Sequence, residues 1–382
     1  MAKLAELGTI ITGNTPKTAD AQNYATNDIC FVKPSDIVDG EVNHLSNTEF
    51  YISEYARPKA RIIPPNSVLV TCIGIVGKVA INEVECAFNQ QINAIVPETA
   101  KCIPEYIAFA LQSKQMMMQD IANAAVVPIL NKAQFSEICI QVPSLEEQQV
   151  IVDKMNKISE LITLRKEQLA KLDELVKARF VEMFGDAVSN EKGWPLATLA
   201  EIAEIKIGPF GSLLHKEDYK TGGHALVNPS HIIGGKIVTD ENLTIDDAKY
   251  AELSAYHLYP GDIVMGRRGE MGRCAVVYQN GLLCGTGSLI IRPNERMKPY
   301  FLQSILSSPT YKKVIEDKAV GVTMMNLNVP IVSELTVPLL PVDLQEQFIS
   351  FMEKTDETKL TIQASLDKLE VMKKALMQEY FG

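Results

Sequence analysis

A chain of 382 residues that is 46% hydrophobic and 22% charged has the composition of a soluble globular protein of two to three domains, and no apolar run approaches the ~18 residues that a membrane span requires. Its net charge of −10 excludes a protein that holds DNA by overall charge alone, because neutralising phosphates with Lys and Arg supplies most non-specific affinity. A nucleic-acid role therefore needs cations gathered on one face, or a partner that supplies them. The N-terminus, MAKLAELGTIITGNTPKT, has no basic stretch leading into an apolar one, so it does not read as a secretion signal. The first apolar runs, SVLVTCI, KVAI and NAIVP, read as strands, and PEYIAFALQSKQMMMQDIA as a helix opened by proline. From Leu145 to Phe184 there is neither Pro nor Gly. Apolar residues recur there at Ile151, Met155, Ile158, Ile162, Leu169, Leu172 and Val176, the spacing of a heptad seam, with Arg165 and Arg179 interrupting it. Gly185 ends this helix, which at ~1.5 Å per residue is ~60 Å long. The strand-like runs then resume with DIVMG, CAVVY and SLIIRP, and a second proline-opened helix begins at Pro299. A last long helix carries Ile362, Leu366, Leu369, Leu376 and Tyr380 in the same frame. Two helices with one apolar stripe each are expected to pack on one another, since an unpaired stripe would be an exposed patch.

The order of these elements repeats. FVKPSDI, from Phe31, matches LVNPSHI, from Leu226, at an offset of 195 residues (226 − 31). The same offset pairs Gly13 with Gly208, Gly40 with Gly235, Gly74 with Gly269, Gly77 with Gly272, Lys78 with Arg273 and Asn131 with Asn326. KLDELVKARFVEMFG and KLEVMKKALMQEYFG close the two halves. A repeat this long is a duplicated domain, not a solenoid unit. The expected fold is α+β: two similar mixed α/β domains, residues 1–142 and 187–341, separated by two long antiparallel coiled-coil helices, residues 143–186 and 342–382, with internal pseudo-two-fold duplication.

The chain carries no recognisable catalytic apparatus. It has no phosphate-binding G-x-x-x-x-G-K-[ST] loop, no H-E-x-x-H or H-x-E…C-x-x-C zinc signature and no C-x-x-C pair. Its seven cysteines are odd in number and read as buried thiols of a reducing compartment, hence a cytoplasmic protein without a metal site. GRRGEMG lies between two strands and has the wrong glycine spacing for a dinucleotide loop, so it reads as a hairpin presenting Arg267, Arg268 and Arg273. Its counterpart in the first half keeps only Lys78. Asn89, Gln90 and Gln91 suit adenine edges, although strand-end amides also form turns. Arg57, Lys59 and Arg61 form a small basic cluster; Asn14 and Lys17 lie in one glycine turn, and Ser212, His215, Lys216 and Lys220 follow the matching one. Lys33, Asn228 and His231 lie on the repeated P-S motif. These are the candidate DNA contacts.

The ordered set resembles the specificity (S) subunit of type I restriction-modification enzymes over essentially the whole chain. Each half opens with LAELGTIITGNTP or LAEIAEIKIGPFGS, passes through PNSVLVTCIGIVGKVAI or PGDIVMGRRGEMGRCAV, enters its tail through PSLEEQQVIVDKM or PVDLQEQFISFM, and ends in FG. The resemblance implies two target-recognition domains, each reading one half of a split double-stranded DNA site, with the helices as spacer and as docking surface for methyltransferase (M) subunits. Those partners would carry S-adenosylmethionine and methylate adenine, and a restriction (R) subunit using ATP and Mg would join in some complexes; this chain would hold no cofactor. The first half lacks the GWPLATL lead-in found at Gly193–Leu199. The residues leave two other classes open: a specificity subunit of another restriction class, and a non-catalytic protein-binding adaptor.

Overall fold

The computed structural model describes residues 1–123, 128–210, 213–269, 272–319 and 326–382, all with side chains except that of Lys216. They form two compact units: Met1–Glu167 with Gln363–Gly382, and Gln168–Ile362.

The first unit holds a five-stranded sheet in the order Gly8–Thr12, Ile92–Pro97, Val68–Thr71, Val79–Asn82 and Val42–Leu45, antiparallel but for the last pair. A second sheet runs Tyr51–Ile52, Ile29–Val32, Cys86–Phe88 and Ile62–Ile63, with its middle pair parallel. The second unit repeats the plan. One sheet runs Ala203–Ile207, Ser288–Pro293, Ile263–Gly266 and Cys274–Val276; the other runs Thr244–Ile245, His224–Val227, Leu282–Cys284 and His257–Leu258. The register is kept: Phe31 lies opposite Ala87, and Leu226 opposite Leu283. Val68–Thr71 and Ile263–Gly266 are buried throughout, because both of their faces are covered, which is why they read as continuous apolar runs rather than alternating ones.

Proline opens the helices Pro104–Ser113 and Pro299–Leu306 at equivalent points, where a missing N–H costs nothing. One pairing from the sequence is corrected. Asn131 caps the helix Lys132–Ser136 by accepting from Gln134 N at 3.0 Å, and its counterpart is Asn328, which accepts from Ile331 N at 2.9 Å. Asn326 instead matches Ile129, since the isolated bridges Ile73–Ile129 and Arg268–Asn326 are equivalent.

The long helices span Leu145–Phe184 and Val342–Phe381, 40 residues each. They run antiparallel within each unit. In the first, Lys154 meets the Tyr380 hydroxyl at 2.9 Å and Lys166 meets Glu370 at 3.8 Å. In the second, Asp173 meets Lys359 at 2.6 Å and the Phe180 and Phe348 rings lie 5.4 Å apart. Along the heptad frame, Met155, Ile158, Ile162 and Leu366 are buried, and Ile151, Leu169, Leu172, Val176, Ile362, Leu369, Leu376 and Tyr380 are half-buried. Leu164, Leu175 and Leu360, outside the frame, are exposed.

Each unit is closed by the start of one long helix and the end of the other. Gln148 and Gln345 lie in the first turns and are fully buried. Gln148 accepts from Ile103 N at 2.9 Å and donates to the Lys101 and Pro143 carbonyls; Gln345 accepts from Lys298 N at 2.8 Å and donates to the Arg296 and Leu340 carbonyls. Each glutamine thereby joins its helix to the residue capping the proline-opened helix. At the far ends, Phe184 packs on Phe301 at 5.1 Å in the second unit, and Phe381 packs on Tyr106 at 5.2 Å in the first. Tyr106 and Phe301 occupy the same place in the repeat.

Candidate nucleic-acid interface

In each unit one turn gathers segments from four parts of the chain. In the first it is Asn89–Gln91, between the strands Cys86–Phe88 and Ile92–Pro97. Gly13 N donates to Ile92 O at 3.1 Å, Cys72 N to Gln91 O at 2.8 Å, and Asn89 N to Val32 O at 3.1 Å. In the second unit the turn is Gly285–Gly287. Gly208 N donates to Ser288 O, Arg267 N to Gly287 O and Gly285 N to Val227 O, each at 3.0 Å. Gly13 and Gly208 must be glycine, because a Cβ on either would lie 2.1 Å from the Asn89 or Gly285 carbonyl oxygen.

The same frame presents different chemistry in the two units. Around the first turn stand exposed Gln90, whose Oε1 accepts from the Thr15 hydroxyl at 2.7 Å; half-buried Gln91, which accepts from Asn89 Nδ2 at 2.9 Å; and Lys33, its amine 3.0 Å from the Phe50 ring centre. Lys33, Ile73, Gly74, Ile75 and Gln91 line a cavity of 410 Å³ that also takes in Lys78. Around the second turn stand Thr286, Asn228, exposed Phe210 and exposed Arg268. Lys17, in the first unit, is exposed.

Many of the other candidate side chains already have partners inside the fold. The Lys78 amine donates to the Pro34 and Ile37 carbonyls. Arg273, its counterpart, donates to the Pro229 carbonyl at 3.3 Å. Pro34 and Pro229 are equivalent, so this matched cation ties down the P-S motif in both units. Arg57 is clamped by Glu54 and Glu85, Lys59 by Asp20 and Asn23, and Arg61 donates to the Thr12 carbonyl. Asn14 fixes that same stretch, donating to Lys59 O at 2.8 Å and accepting from Arg61 N at 2.7 Å. Asn89 is buried, as is His231, whose Nδ1 lies 2.7 Å from the Leu226 carbonyl oxygen. Arg267 is buried and spends its guanidinium on Thr286 O and on Asn326 Oδ1 at 3.1 Å; burial, then the neighbouring Arg268 charge, lowers its pKa. Lys220 is paired with Asp246. His215 is exposed on a turn closed by its own N–H to Asp218 at 2.7 Å. Ser212 and the Lys216 side chain lie outside the described residues. Phe210, Thr15 and Thr286 escaped the sequence reading; the signal for them was the glycine frame, which brings Gly13 and Gly208 to the two turns.

No group of His, Cys, Asp or Glu among the described residues could hold a metal ion, and none of their helices is long and apolar enough to cross a membrane. All seven cysteines are free, and burial pushes the Cys72 and Cys274 thiols up to about 11 and those of Cys86 and Cys102 up to about 12, which keeps these four in the thiol form.

Duplicated domains that hold one frame and vary its turn chemistry, each seated on a pair of long helices, define a two-part recognition scaffold. Comparison with known proteins places it: the chain matches the type I restriction modification DNA specificity domain over residues 1–174 and again over 191–371, and it belongs to that family. It is 25% identical to the type I restriction enzyme MjaIX specificity subunit of Methanocaldococcus jannaschii, over 98% of this chain and 90% of that one. It is 21% identical to the EcoKI specificity subunit of Escherichia coli, over 82% and 72%. Its fold is similar to the S subunit from M. genitalium, with a TM-score of 0.60 at 15% identity, covering 100% of this chain and 95% of that one. It is also similar to a chain from a structure of complex assembly and conformational transition of the type I R-M system, with a TM-score of 0.63 at 17% identity, covering 100% and 96%.

Proposed function

We propose that this chain is the non-catalytic DNA-reading subunit of a type I restriction-modification complex, with each unit reading one half of a split site through the surface around its four-segment turn. The observation that carries this reading is the double match to the specificity domain, combined with two turns held by equivalent backbone hydrogen bonds whose exposed residues differ. Two readers with one frame and unlike surfaces suit two unlike half-sites. Methyltransferase (M) subunits are the partners that would bring S-adenosylmethionine and methylate adenine, and an R subunit, where present, would bring ATP and Mg. The net charge of −10 fits a chain that relies on those partners for part of its grip on phosphate. The complex would act in the cytoplasm.

The test is to co-express the chain with the methyltransferase encoded beside its gene and to map methylated adenines by long-read sequencing. A split motif is expected, and exchanging residues 195–340 for those of a relative should change one half of it only. A stable complex that leaves no motif would overturn DNA reading in favour of a protein-binding adaptor.

A further inference from the structure

We infer that position 73/268 of the repeat determines specificity, and that Arg268 reads a guanine in the half-site bound by the second unit while the first unit, with Ile73 there, takes no guanine from this position. The inference rests on the DNA-reading function proposed above.

The two positions are structurally the same. Each follows the first residue past a strand, whose N–H joins the central turn, Cys72 to Gln91 O and Arg267 to Gly287 O. Each forms an isolated bridge, Ile73 to Ile129 and Arg268 to Asn326, and the preceding carbonyl accepts from Leu130 N or Leu327 N at 3.0 Å. Each is followed by a glycine in the left-handed region, Gly74 at φ +77° and Gly269 at φ +76°, with open space where a Cβ would stand. The backbone thus fixes where the side chain starts in both units, and only its chemistry changes.

Arg268 differs from the other arginines at this site in being unspent. Arg267 is buried beneath the turn and Arg273 binds the P-S motif, whereas Arg268 is exposed and, among the described residues, no hydrogen bond or ion pair engages its side chain. An exposed guanidinium without a partner among the described residues breaks no such bond in forming a bidentate pair, and guanine N7 and O6 are the base acceptors that match its fork. Gly208 is bonded to the same turn, so exposed Phe210 starts two residues from that edge. Ile73, half-buried, offers no donor and suits an apolar contact such as a thymine methyl.

The experiment uses the complex of the full chain with its methyltransferase and a set of duplexes substituted one base pair at a time through both half-sites. The wild-type complex should prefer G·C at one position of the second half-site by about 5- to 150-fold. Arg268→Ala should bring that ratio close to one while every ratio in the first half-site stays, which also shows that the variant is folded. Arg268→Lys, which loses the fork but can still donate to guanine N7 or O6, should keep only part of that ratio. If either variant weakens all duplexes by the same factor, Arg268 binds phosphate and the inference is overturned; it is equally overturned if every ratio survives Arg268→Ala. A wild-type complex without any preference would instead sink the DNA-reading function itself, a result separate from these.

Discussion

Among single residues, the charged ones most visible in the sequence are often the least available. Lys78 and Arg273 stand out as a matched cation, yet both bind backbone carbonyls of the P-S motif. No sequence pattern could reveal this, because a carbonyl acceptor leaves no side-chain signature and Pro34 lies 44 residues away. Removing Lys78 should therefore cost stability and not grip. Lys78→Met is expected to lose about 1–3 kcal/mol in a thermal melt, with the salt dependence of DNA binding by the complex unchanged. Lys17→Ala is the converse case: exposed on the glycine turn, it should leave the melt alone and lower the salt slope by about one. Gln148 and Gln345 were legible only as part of the tail-entry motif, and their burial with three bonds each makes them structural keystones. Gln148→Ala, which strands those backbone groups, should cost about 2–4 kcal/mol, read as a fall in melting temperature.

The elements were more legible than the residues, for a physical reason. Gly74, Gly77, Gly269 and Gly272 all have φ between +71° and +84°, where a Cβ is strained, so the backbone itself preserves their spacing in both halves. Space separates the first pair: a Cβ on Gly74 meets nothing, while one on Gly77 would stand 2.9 Å from Gln115 Cγ and 3.1 Å from Met118 Cε. Gly74→Ala should thus cost about 1 kcal/mol and Gly77→Ala at least twice that, measured by chemical denaturation. The long helices were readable because an unbroken run with one apolar stripe has few other solutions. Their closing contacts were not, since nothing in the FG endings says which unit they enter. Phe381→Ala, which empties the space beside Tyr106, should cost about 3–5 kcal/mol.

For the molecule as a whole, the duplication gave the fold class directly, but the compact units do not follow chain order, because each borrows a helix end from the other repeat. Offsets in a sequence show what is repeated and carry no information about which copy completes which. The borrowing makes a prediction. Residues 1–185 contain one domain that lacks a visiting helix end and one helix end, at Phe184, that lacks its host. Expressed alone, this half should sediment as a dimer in which two copies complete each other, and Phe184→Ala should return it to a monomer.

The crossed helix ends also bear on how such a gene can change. The two ends, KLDELVKARFVEMFG and KLEVMKKALMQEYFG, dock on aromatic residues at the same place in the repeat. A crossover between two related genes within a long-helix stretch therefore delivers a new reader attached to an end that already fits its neighbour. Half of the recognised sequence can be rewritten in one generation, with no compensating mutation in the other half.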